Sequence, residues 1–133
     1  MTAKLRALGA AMVMMMTVSG AQSAAPVSRL PKGLETGEWE LRERGEDGPA
    51  RRLCISSLNQ LLQSRHAGHA CKSFTVSDAA RRMVVTYECG AAGNGRTDLR
   101  IETSRLVQIQ SQGIADGAPF AFALEGRWLG ACH

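Results

Sequence analysis

The sequence predicts a mainly β fold: a small antiparallel sheet, curved into a partial barrel or folded into a sandwich, carrying one short helix and stapled by disulfides. Three observations predict it. Short stretches of period-two alternation succeed one another at hairpin spacing. Helical periodicity is confined to about two turns. Four cysteines, Cys54, Cys71, Cys89 and Cys132, fall in a short chain that opens with an export signal.

The export signal is read from the first 23 residues. Lys4 and Arg6 form a basic start, Ala7 to Val18 an apolar run, and small residues follow from Ser19. Two cleavage positions fit, after Ala21 or after Ser23. The apolar run is shorter than the ~20 residues that span a bilayer, so no stable membrane anchor is expected. Residues 24–133 then form one β-rich domain located in the periplasm. Removing the leader takes the net charge from +4 to +2. With the charges interspersed and only 5% of residues aromatic, the chain lacks the basic face and stacking platforms of a nucleic-acid binder.

The elements follow in order. Pro26 and Pro31 make residues 24–32 an irregular lead-in. Trp39 and Leu41 alternate with Glu38, Glu40 and Arg42 in a first strand, Glu38 to Arg44. Gly45 to Pro49 is a turn, and Arg51 to Ile55 a second strand. Ser57 with Gln60 three residues on has capping-box spacing, and Leu58, Leu61 and Leu62 make one apolar stripe, which predicts a helix ending near Arg65. A helix this short is unstable alone and must pack on the sheet. The stretch from Cys71 to Gly95 reads as the central hairpin, turning at Asp78 to Arg81, with Phe74 and Val76 matched to Met83, Val85, Tyr87 and Cys89. After a Gly90 to Gly95 turn come strands Arg96 to Thr103 and Leu106 to Ser111, a loop over Gly113 to Pro119, and a last strand Phe120 to Arg127.

The matching of apolar faces bears on the cysteines. It points Cys71 away from the Phe74 face and Cys89 along it, which disfavours a Cys71–Cys89 bridge. Of the three connectivities, Cys54–Cys71 with Cys89–Cys132 is favoured.

Certain residues taken together resemble a known family. They are Gly-Leu-Glu-x-Gly-Glu-Trp-Glu (Gly33 to Glu40), a first cysteine with a Leu-bearing helix behind it, Cys71, Tyr-Glu-Cys-Gly (Tyr87 to Gly90), Gly-Arg-Thr (Gly95 to Thr97), Gly-x-Pro-Phe (Gly117 to Phe120) and Gly-x-Cys (Gly130 to Cys132). This order is similar to the uncharacterised bacterial family catalogued as domain of unknown function 3617. The chain lacks the methionine- and proline-rich insertion after the first strand found in many members. The resemblance implies a small periplasmic protein of proteobacteria and supplies no activity.

Candidate functional residues are few. Trp39, Tyr87 and Trp128 are candidates for a ligand face, although a tryptophan alternating with leucine on a half-buried strand is more often core. His66, His69 and His133 are the candidates for a metal site, set against the reading that histidines in a Gly-containing loop are solvated and that disulfides remove the thiolates. There is no Cys-x-x-Cys motif, no Gly-x-Ser-x-Gly elbow and no phosphate loop ending in Lys-Ser/Thr, and no cofactor is implied. The expectation is a non-catalytic binding or envelope-maintenance module whose partner is a small amphipathic ligand or an envelope protein. A small periplasmic metal-binding or metal-stress protein is the alternative.

Overall fold

The computed structural model describes residues 30–45 and 47–133; the expected leader and its cleavage site lie outside them. Seven strands form one antiparallel sheet in the order β2-β1-β7-β6-β5-β4-β3. They are β1 (Gly37–Glu43), β2 (Arg51–Ile55), β3 (Lys72–Ala79), β4 (Arg82–Glu88), β5 (Gly93–Thr103), β6 (Leu106–Ala115) and β7 (Ala118–Gly130). The last five make a meander that returns to pair β7 with β1. β2 and β3 remain as edges, so the sheet is open.

Alternation decides which face is buried. Trp39 and Leu41, Val85 and Tyr87, Leu99 and Ile101, and Val107 and Ile109 all point inward and are at most 6% exposed. The register keeps them level: Leu99 sits opposite Ile109, which sits opposite Leu124. The segment joining β2 to β3 closes this face. It holds α1 (Asn59–Leu62), a single turn over β5 and β6, followed by a 3-10 turn at Ser64–His66. Leu58, Leu61 and Leu62 drop into the core. Fully burying a leucine is worth ~1.5–3 kcal/mol, so this packing rather than helix propensity holds so short an element.

The expected capping box is recognisable in altered form. Gln60 Oε1 accepts from the Ser57 N–H at 2.9 Å and the Ser56 N–H at 2.8 Å, while Ser57 Oγ accepts weakly from the Asn59 N–H at 3.4 Å. The glutamine returns to the chain before the helix as the motif requires, but the helix proper begins two residues later than Ser57.

Other boundaries shift outward. β5 begins at Gly93, inside the expected glycine turn, and β6 and β7 extend to a tight turn at Asp116–Gly117, where Asp116 has φ 51° and Gly117 φ 81°. The lead-in also contributes to the core. Leu30 and Leu34 are 5% and 0% exposed. Between them Lys32 pairs with Asp78 and donates to the Ala79 carbonyl at 2.7 Å, tying the start of the domain to the tip of the β3–β4 hairpin.

The disulfide pairing corrects the expectation: the bridges are Cys54–Cys132 and Cys71–Cys89, with Cα separations of 5.7 and 4.3 Å. The cause is the phase of β3. Lys72 pairs with Glu88, so the next pair outward is Cys71 opposite Cys89, and directly opposed residues share a face. Ser73 and Thr75 share that face with Tyr87 and Val85. Phe74 faces the other way, opposite Thr86, and Val76 is the extra residue of a bulge between Thr75 and Ser77. Phe74 and Val76 are 58% and 53% exposed. At the sheet edge, beyond the reach of α1, every residue of β3 is exposed among the described residues, so its apolar residues do not report the buried face.

Candidate functional site

The strongest internal chemistry is a buried chain of polar groups beneath the β2–β3 crossover. His66, 3% exposed, is held on both ring nitrogens. Nε2 lies 3.0 Å from the Ala92 carbonyl and 3.1 Å from the Ile114 carbonyl. Carbonyls only accept, so Nε2 carries the proton and Nδ1 accepts from the Tyr87 hydroxyl at 3.1 Å. Thr97 Oγ1 donates to the Leu62 carbonyl and lies 2.8 Å from Ser111 Oγ. These two sets of bonds fasten the crossover to β4, β5 and β6. Burial pushes the Tyr87 phenol above its usual 10.0, and the neighbouring Ser111 hydroxyl draws it partly back. Two glycines clear the space. A Cβ on Gly95 would lie 2.4 Å from Tyr87 Cζ and Oη, and one on Gly93 would lie 1.9 Å from the Ile114 carbonyl oxygen and 3.1 Å from His66 Nε2.

This geometry places the expected site residues. Trp39 and Tyr87 are 0% and 1% exposed, so both belong to the core rather than to an accessible face. Trp39 donates its indole N–H to the Glu35 carbonyl at 3.0 Å. Trp128, its cross-strand partner, is half-buried, donates to the Thr36 carbonyl at 3.0 Å and lies 4.4 Å under the Arg105 guanidinium. The three histidines do not converge. His69 is exposed, with its ring 6.3 Å from that of His66. His133 sits at the far end of β7, 3.9 Å from Glu38. Among the described residues no group of three or more His, Cys, Asp or Glu side chains is placed to hold a metal ion, and all four cysteines are in disulfides.

Accessible concavity lies elsewhere, between the β2 edge and the crossover. A cleft of ≈ 230 Å³ is lined by Leu41, Phe122 and Leu124 with Glu43, Arg51, Ser64 and Arg65 among its polar walls. A second, of ≈ 330 Å³, shares Arg51 and Ser64 and continues past Leu53 along α1. Phe122 stacks on Phe120 at 5.7 Å, and the Arg65 guanidinium lies 6.0 Å from the Phe120 ring. Apolar inner-face side chains are therefore reachable where the sheet is not closed, beside two cationic heads. The inward phase of Phe122 and Leu124 was legible in the sequence; their meeting with Arg51 and Arg65 depends on where the crossover lies.

The chain is 31% identical over 107 residues to a diaminopimelate epimerase of Mycolicibacterium gilvum (strain PYR-GCK), across 77% of this chain and 36% of that relative. The chain spans about a third of the length of the curated relative it matches. No family model and no solved structure matches the chain.

Proposed function

We propose that the protein is an exported, non-catalytic binding module of the periplasm, and that its ligand is a small amphipathic anion held in the cleft between β2 and the crossover. The observation that carries this reading is the juxtaposition of Leu41, Phe122 and Leu124 with Arg51 and Arg65 in adjoining hollows of ≈ 230 and ≈ 330 Å³. Ligand sites combine such an apolar lining with a few polar groups that fix orientation. Two disulfides suit an oxidising compartment, as do the expected leader and the resemblance to domain of unknown function 3617.

The test is titration of the oxidised protein with decanoate below its micellar concentration, followed by methyl NMR. Leu41 and Leu124 signals shift saturably, and the double variant R51E/R65E weakens binding at least about tenfold, while core signals such as Leu99 stay in place. Shifts that grow linearly without saturation, or binding indifferent to the two charge reversals, overturn the reading.

A catalytic reading is favoured by the partial similarity to the epimerase. It predicts exchange of the α-hydrogen when diaminopimelate is incubated with the protein in deuterated water. Absence of exchange above the protein-free rate removes it.

A further inference from the structure

The outer face of the sheet carries a second concavity, of different chemistry. Arg44, Arg82, Asp98, Arg100, Gln108 and Gln110 line a cleft of ≈ 180 Å³. The register assembles it: Arg82 is opposite Arg100, and Arg100 is opposite Gln108. Three guanidiniums and one carboxylate thus share the cleft. Arg82 Nε donates to Asp98 at 3.0 Å, and Arg100 donates to Glu102 at 3.0 Å. On the neighbouring strand Glu125 is engaged by Arg127 at 2.7 Å and by Gln108 at 3.0 Å.

Gln108 is the unusual member. It is only 8% exposed, and with Val84 at 5% it is a buried member of a face whose Arg82, Arg100 and Gln110 are exposed. Its Nε2 donates to Glu125, which fixes the amide orientation, since the reversed amide would oppose its oxygen to a carboxylate. Its Oε1 is buried and meets no hydrogen-bond donor among the described residues. Arg100, the nearest cross-strand donor, is turned to Glu102 instead. A buried acceptor left unmet is costly, and Gln108 is one of the residues that line the cleft. Arg82 and Arg100 already share their charge with Asp98 and Glu102, so an occupant of this space must suit a cationic lining completed by Arg44 and also offer a proton to an amide oxygen.

We propose that this cleft binds an oxyanion carrying its own hydroxyl, hydrogen phosphate, with Arg44, Arg82 and Arg100 around its charged oxygens and Gln108 Oε1 accepting its P–OH. Bidentate guanidinium contacts suit the tetrahedral oxygens. The hydroxyl requirement separates hydrogen phosphate from sulfate, which has the same shape and a similar charge but no proton at neutral pH. The site is independent of the β2 cleft and stands or falls separately from the decanoate experiment.

The experiment is NMR titration of the oxidised protein at pH 7 with sodium phosphate and with sodium sulfate at matched ionic strength, following the Arg82 and Arg100 Nε–Hε and Gln108 amide signals. Phosphate produces saturable shifts, and sulfate binds about tenfold or more weakly, the loss expected when a buried acceptor stays unmet. Gln108→Met, with Glu125 still held by Arg127, erases that preference by weakening phosphate alone. Equal responses to the two anions, no saturable response, or a preference that survives Gln108→Met each overturn the proposal. Should Gln108→Met fail to fold, the ratio measured on the native protein decides it alone.

Discussion

Replacing Tyr87 by Phe isolates the polar chain beneath the crossover. The ring and its packing stay, while the hydroxyl that donates to His66 Nδ1 at 3.1 Å is lost. His66 is buried, so Nδ1 becomes an acceptor without a donor. That omission costs ~1–3 kcal/mol. At about 2 kcal/mol, a domain of this size loses roughly 8–16 °C of Tm. Urea unfolding read by tryptophan emission measures the loss, and an unchanged slope in denaturant shows that the effect is one of stability. The chain has one tyrosine, so tyrosinate absorbance reports Tyr87 alone. Its folded pKa is raised by burial. The folded protein therefore keeps a proton that the unfolded chain gives up, and stability is complete below the ordinary value of 10.0 and declines as pH rises from there toward the folded value. Tyr87→Phe flattens that alkaline decline. A double-mutant cycle with His66→Leu isolates the coupling between the two side chains. A Tyr87→Phe cost below about 0.3 kcal/mol, with a phenol titrating at its ordinary value, would refute the network.

Three further outcomes follow from the same geometry. Loss of Cys54–Cys132, which closes a separation of 78 residues, costs about 4.5 kcal/mol on chain entropy, against about 3.2 kcal/mol for the separation of 18 closed by Cys71–Cys89; the reverse order in urea unfolding of the paired serine variants contradicts this assignment. The Arg82 hydrogen bond holds the Asp98 carboxyl below its usual 3.8, and the Gln108 bond, followed by that of Arg127, holds Glu125 below its usual 4.5. Both contribute stability that is complete above those values and lost as pH falls through the lower folded ones, so D98N/E125Q has a flatter acid limb than the native protein below about pH 4. Gly126→Ala places a Cβ 2.8 Å from Val107 Cγ2 and 3.1 Å from Leu41 Cδ2, whereas a Cβ on Gly48 meets nothing within 4 Å; thermal unfolding shows a loss of about 1–3 kcal/mol for Gly126→Ala and a change under about 1 kcal/mol for Gly48→Ala.

The inner face was legible because one rule governs it. Trp39, Leu41, Leu99, Ile101, Val107 and Ile109 alternate with charged or amide side chains, and burial of one face leaves a single phase open to each strand. The same rule concealed Thr97 and Ser111. They occupy inward positions in phase with Leu99 and Ile109, and their parity was the available signal that polar groups enter the core. His66 carried no such signal. It lies between Arg65 and Ala67 in a crossover without period, and its burial follows from the proximity of two distant carbonyls, those of Ala92 and Ile114. Phe74 and Val76 show the rule failing. It requires that an apolar face be covered, and an edge strand whose described residues are all exposed obeys the phase of its neighbour instead. Reversing the phase of this one strand aligned Cys71 with Cys89, and the Cys54–Cys132 bridge is the remaining pair.

Register explains why both clefts escaped the sequence. Arg82, Arg96 and Arg100 read as solvated side chains that, grouped with Arg81 and Arg105, could face an anionic partner, and Gln108 and Gln110 read as the polar positions of an alternating strand. What makes a site of some of them is that β4, β5 and β6 are aligned with Arg82, Arg100 and Gln108 in one row, crossing the strands where side chains are nearest neighbours. A slip of two residues between β5 and β6 would preserve every inward and outward assignment, and with it the core pattern, yet set Arg100 opposite a different glutamine or none. The β2 cleft depends similarly on a quantity that period cannot encode, namely how far the crossover runs before its 3-10 turn delivers Ser64 and Arg65 to the open edge. Core formation tolerates such alternatives poorly only where a side chain must fit. Inward-facing glycines supply part of that fit: a Cβ on Gly95 would meet Tyr87, and one on Gly126 would meet Val107 and Leu41.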